Sequence, residues 1–231
     1  MSRPIGIIGA MDAEVEGLIS RLSQYKKESV GGIEFHTGSL LGRDVVIARC
    51  GVGKVFAAMC AEAMIIKYSP ALIINTGVAG ALDPTLKTLD IVVGESLCQH
   101  DMDTSPLGDP KGFVSGIERV YFESDARAVE LLVAAGGELS INVVRGTVAT
   151  GDQFVADNET RSRIVNTFSA SACEMEGGAI AHAAFVNGIP FIVIRAISDG
   201  ANDDSAMDFP TFVSLAAKRS ETLTLELVKR Y

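Results

Sequence analysis

The stretch Ser171-Ala172-Cys173-Glu174-Met175-Glu176-Gly177-Gly178-Ala179-Ile180-Ala181-His182 sets two carboxylates one residue apart. They fall where a β-like run gives way to a run of small, helix-favouring residues, so at least one of them is expected at a helix N-terminus. There the unpaired backbone N–H groups stabilise negative charge. The next apolar run, Phe191 to Ile197, ends in Ser198-Asp199 and delivers another carboxylate where a strand stops. Glu14 follows the first apolar run, Ile5 to Ala10, on the opening turn of a helix that carries Val15, Leu18, Ile19 and Leu22. Three carboxylates converging without a metal motif suit acid–base work at a sugar, because glycosidic cleavage passes through an oxocarbenium-like state that negative groups stabilise. One must be ionised to take a proton from water, and another must carry or share a proton for the leaving group. A third can grip ribose hydroxyls through charge-assisted bonds.

The elements that must position these groups alternate between β and helical patterns. After Val30-Gly31-Gly32 comes a hairpin of 33–40 and 44–50, turning at Leu41-Gly42-Arg43. Gly51-Val52-Gly53-Lys54 opens a helix through Ala57, Ala61, Met64 and Ile65, and Pro70 ends it. A buried strand at 71–76 runs into Gly77-Val78-Ala79-Gly80-Ala81, a turn of small residues where backbone can approach a ligand. A short strand at 91–93 precedes a polar loop, 98–116, whose length marks it as a carrier of a site or an interface. The remainder reads as a helix at 125–135, a strand at 143–150 ending in Gly151-Asp152-Gln153-Phe154, a helix at 160–168, the strand to Ile197, an acidic loop at 200–208 and a last helix at 210–229. This pattern predicts an α/β fold in one domain spanning 1–231, with an open, mostly parallel sheet covered on both faces. Ligands in such sheets bind beyond the carboxyl ends of the strands, which is where Glu14, the 77–81 turn, Phe154, Glu176 and Asp199 are expected.

Composition narrows the function classes. At 231 residues the chain is long enough for one large core, and 48% hydrophobic residues with a mean hydropathy of +0.29 argue against disorder. Twenty Lys+Arg against 29 Asp+Glu give a formal charge of −9, so neither nucleic acid nor an anionic membrane is an expected partner. Cys50, Cys60, Cys98 and Cys173 are scattered, with no zinc-ligand spacing, and read as buried thiols in a reducing compartment. Met1-Ser2-Arg3-Pro4 runs straight into Ile5 to Ala10, too short an apolar run for a signal-peptide core, and no segment reaches the roughly 20 apolar residues of a membrane helix, so the cytoplasm is the expected location.

Six motifs, Ile5-Gly6-Ile7-Ile8-Gly9-Ala10-Met11-Asp12-Ala13-Glu14, Cys50-Gly51-Val52-Gly53-Lys54-Val55, Asn75-Thr76-Gly77-Val78-Ala79-Gly80, Thr150-Gly151-Asp152-Gln153-Phe154, Glu174-Met175-Glu176 and Arg195-Ala196-Ile197-Ser198-Asp199, occur in that order. As a set they resemble the bacterial 5′-methylthioadenosine/S-adenosylhomocysteine nucleosidases of the purine nucleoside phosphorylase superfamily. The resemblance implies a mixed central sheet flanked by helices, and a hydrolase that needs no metal or cofactor. It assigns Glu14 to the attacking water, Glu176 with Met175 to the ribose hydroxyls, and Asp199, steadied by Ser198, to the departing adenine. Phe154 would stack on the base and the Val155 backbone would read its edge. Arg195 and Glu174 would support the ribose grip, Met11, Val52 and Phe209 would form pocket wall, and Val78, Ala79 and Gly80 would lie beside the nucleoside. Thr104 and Leu107 would complete the 5′ slot of a neighbouring subunit in a homodimer. Two departures stand out: Val78 occupies a place where the better-known members have serine, and the loop from Pro106 to Phe113 is shorter.

Blander readings compete for several of these residues. Glu14 by type is a first-turn charge complementing a helix dipole, and Asp199 by type is a cap or turn former. Gly6-Ile7-Ile8-Gly9 lacks the third glycine of a dinucleotide fingerprint. His100-Asp101-Met102-Asp103 reads as a solvated loop or subunit contact, His36 and His182 as structural, and Cys173 as a small core residue with nothing adjacent to lower its pKa. Three rival functions remain open: a phosphorylase of the same fold, a nucleoside-binding protein without turnover, and a hydrolase of 6-amino-6-deoxyfutalosine.

Overall fold

Runs rich in Val, Ile and Leu form the centre of a mixed β-sheet, and the polar ends of those runs emerge on one rim. The computed structural model describes residues 3–199 and 209–231, with side chains at 199 and 209–212 excepted. The elements in order are β1 (Ile5–Gly9), α1 (Asp12–Ile19), β2 (Ser23–Val30), β3 (Ile33–Leu40), β4 (Arg43–Arg49), α2 (Lys54–Tyr68), β5 (Leu72–Ala81) and β6 (Ile91–Gln99). They continue with β7 (Phe122–Glu123), α3 (Ala126–Glu138), β8 (Val143–Thr150), α4 (Asn158–Phe168), β9 (Ala170–Glu174), α5 (Gly177–Val186), β10 (Phe191–Asp199) and α6 (Phe209–Arg230). The acidic loop expected at 200–208 falls outside the described residues.

Strand order is β10-β6-β8-β9-β5-β1-β4-β3-β2, and β10 also pairs with β5. The sheet therefore closes on itself through β5, β10, β6, β8 and β9, which corrects the expected open sheet. The cause is the length of β5. Its segment from Ile73 to Ala79 pairs in parallel with β10, while Gly80 and Ala81 pair antiparallel with Cys173 and Ala172 of β9. The small residues expected as a turn at 77–81 are thus strand.

Strand β2 was not expected at all. Its sequence Ser-Gln-Tyr-Lys-Lys-Glu-Ser-Val has no apolar alternation because it is an exposed edge strand, held to β3 by the ladder and by ion pairs such as Lys27–Glu34 at 2.7 Å. Strand β6 is also longer than its apolar start, because Glu95, Ser96 and Gln99 continue it toward the rim. The two faces of the sheet are covered separately. Helices α1, α3 and α6 bury Val15, Leu18, Leu132, Ala216, Leu223 and Leu227 on one side, and α2 and α5 bury Ala57, Ala61, Met64 and Ile180 on the other.

Candidate active site

Strands β1, β5, β8, β9 and β10 bring their carboxyl ends to one cavity of about 240 Å³. Of the residues singled out in the sequence, Met11, Glu14, Val52, Val78, Ala79, Gly80, Phe154, Val155, Glu174, Met175, Glu176 and Ser198 line it. Ala10, Gln153 and Cys173 also line it, and only their neighbours in sequence hinted at them. Arg195 lies directly behind. Asp199 ends β10 with its backbone opposite Gly80, and Phe209 begins α6, but both side chains lie outside the described residues. Thr104 and Leu107 do not reach this cavity; Leu107 is 83% exposed on a short 3-10 turn.

Glu14 is both a first-turn charge of α1 and a lining residue of the cavity. It is the third residue of α1, and its Oε2 accepts from the backbone N–H of Met11 at the N-cap (3.0 Å) and of Ala10 (2.7 Å), so it caps its own helix. Its Oε1 accepts from Val78 N–H at 3.1 Å across the cavity floor. The side chain is buried, and burial raises its pKa despite the nearby Arg195 guanidinium and the three N–H donors. A buried carboxylate whose proton affinity is increased, facing a cavity, suits a general base.

Glu174 sits at the end of β9, where its Oε2 accepts from Gly177 N–H at 2.7 Å and Glu176 N–H at 3.2 Å. That is the carboxylate at a helix N-terminus expected from the sequence. Its other partners are buried: Arg195 Nη2 pairs with Oε2, and Thr150 Oγ1 donates to Oε1 while accepting from Gly178 N–H at 2.6 Å. Arg195 Nη2 also donates to Asn75 Oδ1 at 2.5 Å, and Asn75 Nδ2 donates to Ile8 carbonyl at 2.9 Å. Five strands are thereby tied together by one buried polar chain. Asn75 and Thr150 were missed as contributors, although an amide inside the run Leu72-Ile73-Ile74-Asn75 is the kind of buried polar group that requires a partner.

Glu176 is the N-cap residue of α5, and its Oε1 accepts from Gly53 N–H at 2.8 Å. Gly53 has φ +101, a conformation that L side chains rarely adopt. Arg195 Nη2 lies 4.0 Å from Glu176 Oε2. Burial and the neighbouring Glu174 carboxylate push the Glu176 carboxyl up to about 7, against the pull of Arg195 and Gly53 N–H. One fully buried guanidinium thus faces three carboxyl groups, those of Glu14, Glu174 and Glu176. Among the described residues lining the cavity there is no Lys or Arg.

Elsewhere, His182 accords with a structural role, stacked on Phe122 with ring centroids 5.5 Å apart. His36 likewise contacts Tyr25 Oη at 2.9 Å. His100 corrects the expectation of a solvated loop, for it is 2% exposed and packs against Gly151. All four cysteines are buried and free, as expected. Among the described residues no cluster of His, Cys, Asp and Glu could hold a metal ion.

Fold and site together define an α/β protein whose buried carboxylates surround a small-molecule cavity. The chain belongs to the phosphorylase superfamily, whose family model matches residues 4–229. It is 38% identical to the 5′-methylthioadenosine/S-adenosylhomocysteine nucleosidase of Shewanella halifaxensis (strain HAW-EB4) over 230 residues, covering 98% of this chain and 99% of that relative. Among solved structures it is similar to the nucleosidase of the same name from Neisseria meningitidis in complex with methylthio-immucillin-A, with 33% identity, a TM-score of 0.94 and 100% of both chains covered. It is also similar to the futalosine hydrolase of Helicobacter pylori strain 26695, with 31% identity, a TM-score of 0.93, and 99% of this chain and 98% of that one covered. The family expected from the six motifs is the family found.

Proposed function

We propose that this chain hydrolyses the N-glycosidic bond of 5′-methylthioadenosine and S-adenosylhomocysteine, releasing adenine and the 5′-substituted ribose. In this reading Glu14 takes a proton from water as the water attacks the anomeric carbon. Glu176 accepts from the ribose hydroxyls, Arg195 and Glu174 fix its position, and Met175 packs beside the sugar. Phe154 stacks on the base, the Val155 backbone bonds its edge, and Asp199, beside Ser198, protonates the departing adenine. The observation that carries hydrolysis over phosphorolysis is the charge of the cavity. A phosphate nucleophile would meet Glu14, Glu174 and Glu176, while the nearby cation, Arg195, is engaged by Glu174 and Asn75.

The partner is a second copy of the chain. Helices α2 and α5 bury one apolar face and leave another open, with Val55 69%, Ile66 72% and Val186 60% exposed around a groove of about 920 Å³. An unpartnered apolar surface of that extent favours a homodimer. In it Thr104 and Leu107 of each subunit close the 5′ slot of the other. Among the described residues no helix is long and apolar enough to cross a membrane, and the four free thiols favour the cytoplasm.

A substrate panel tests the reading. 5′-Methylthioadenosine, S-adenosylhomocysteine, 5′-deoxyadenosine and 6-amino-6-deoxyfutalosine are incubated with the protein in phosphate-free buffer, and free adenine is measured. Release from the two thio-nucleosides is expected; strict dependence on phosphate would replace the reading by a phosphorylase, and turnover of aminodeoxyfutalosine alone by the rival hydrolase.

A further inference from the structure

Outside the cavity, one carboxylate joins the two loops that border it. Asp101 lies just beyond β6, with its side chain 20% exposed. Its Oδ1 accepts from Lys54 Nζ at 2.6 Å, and its Oδ2 accepts from Asp152 N–H at 2.9 Å. Asp152 Oδ1 in turn accepts from Lys54 N–H at 2.7 Å, which closes a ring of three residues from three segments. Lys54 Nζ has a further acceptor in Gln99 Oε1 at 3.3 Å. Burial acts to raise the Asp101 carboxyl, yet the Lys54 and Asp152 donors prevail and hold it below its ordinary value.

The two loops held in this ring end at the groups that face the nucleoside. Lys54 follows Gly53, whose N–H is the donor to Glu176 Oε1. Asp152 precedes Gln153, Phe154 and Val155, all in the cavity wall. We infer that Asp101 is a positioning residue that couples the sugar-side loop at Gly53 to the base-side loop at Phe154. This rests on the proposed roles of Glu176 and Phe154. The arrangement requires a carboxylate, because two donors converge on two oxygens. An asparagine has one acceptor oxygen, so its amide nitrogen would face either an ammonium or a backbone N–H.

The test uses Asp101→Asn, which keeps one acceptor oxygen, and Lys54→Met as an independent second break, which removes the ammonium with its bonds to Asp101 and Gln99 but leaves the bond from Asp152 N–H to Asp101 in place. Both are compared with wild type by amide hydrogen exchange and by adenine release. Faster exchange at Gly53, Lys54 and residues 151–155 is expected in both variants, with exchange in β1 and α6 unchanged. With 5′-methylthioadenosine, kcat/KM should fall about tenfold to a hundredfold, the range expected when a distant change misplaces binding groups. The loss should appear mainly in KM, and it should shrink several-fold for a 2′,3′-dideoxy analogue, which has no hydroxyls for Glu176 to hold. Unchanged exchange in both loops, or an equal loss for both substrates, would overturn the inference. If wild type releases no adenine, the proposed function falls instead, and the exchange arm still decides the role of Asp101.

Discussion

Removing the buried cation should damage the protein in a way that depends on pH. In Arg195→Met a guanidinium that is 1% exposed is replaced by an unbranched apolar chain, leaving Glu14, Glu174 and Glu176 without their common counter-charge. At the 4.0 Å separation between Arg195 and Glu176, a Coulomb term with an effective dielectric of 20 is about 4 kcal/mol. Breaking a buried pair by removing one partner typically costs about 3–5 kcal/mol. For a chain of this length that corresponds to a melting temperature lower by roughly 10 °C. Carboxylates deprived of the cation can take up protons, so the deficit should be larger at pH 8 than at pH 5. Urea unfolding of wild type and variant at both values measures it. The double variant Arg195→Met/Glu174→Gln should be less destabilised than the two single losses added together, because one uncompensated charge has been removed with the other. A loss below about 1 kcal/mol at pH 8, or one independent of pH, would refute the view that Arg195 neutralises this cluster.

The wild-type protein itself should lose stability as pH rises from about 4.5 to about 7. Glu176 is raised from 4.5 to about 7, so the folded state keeps a proton there that the unfolded chain has released, and Glu14 is shifted in the same direction. Glu176→Gln should flatten that part of the urea-unfolding profile, and an unchanged slope would remove the premise. Gly77→Ala should lower stability by about 1–3 kcal/mol in thermal melts and depress kcat/KM, because its methyl would overlap Arg195 Nη1 and lie 2.5 Å from Glu14 Oε1. Gly137→Ala, whose methyl meets nothing within 4 Å, should be neutral or stabilising and serves as the control. Glu14→Gln and Asp199→Asn should each reduce adenine release by about 10²–10⁴-fold, and Glu14→Gln should also lower the melting temperature, because its amide nitrogen would face a backbone N–H that the carboxylate now satisfies; near-normal release by either variant would remove the role assigned to it.

The site was more legible in the sequence than the sheet that builds it. Glu14, Glu174 and Glu176 stood out because carboxylates at the ends of apolar runs are costly unless something uses them, and all three reach the cavity. The motif order added what residue type alone left open for Phe154, Val155 and Met175. Closure of the sheet was not legible, because pairing partners are a long-range property and the Gly- and Ala-rich run at 77–81 has low strand propensity that tertiary pairing overrides. Strand β2 was hidden for the opposite reason: an exposed edge needs no apolar pattern. Asn75 and Thr150 act through Glu174 and Arg195 and carry no spacing signal of their own. Asp101 was noticed only within a loop, since its two partners are 47 and 51 residues away in the chain.

The most direct test is to run the reaction on 5′-methylthioadenosine in water enriched in ¹⁸O, with no phosphate present, and to analyse the sugar product by mass spectrometry. Attack by a water that Glu14 has deprotonated predicts one heavy oxygen bonded at the anomeric carbon of the methylthioribose, once exchange of the free sugar with solvent is corrected by an unlabelled-product control. A sugar phosphate formed only on adding phosphate, or release of adenine with no label beyond that control, would contradict it.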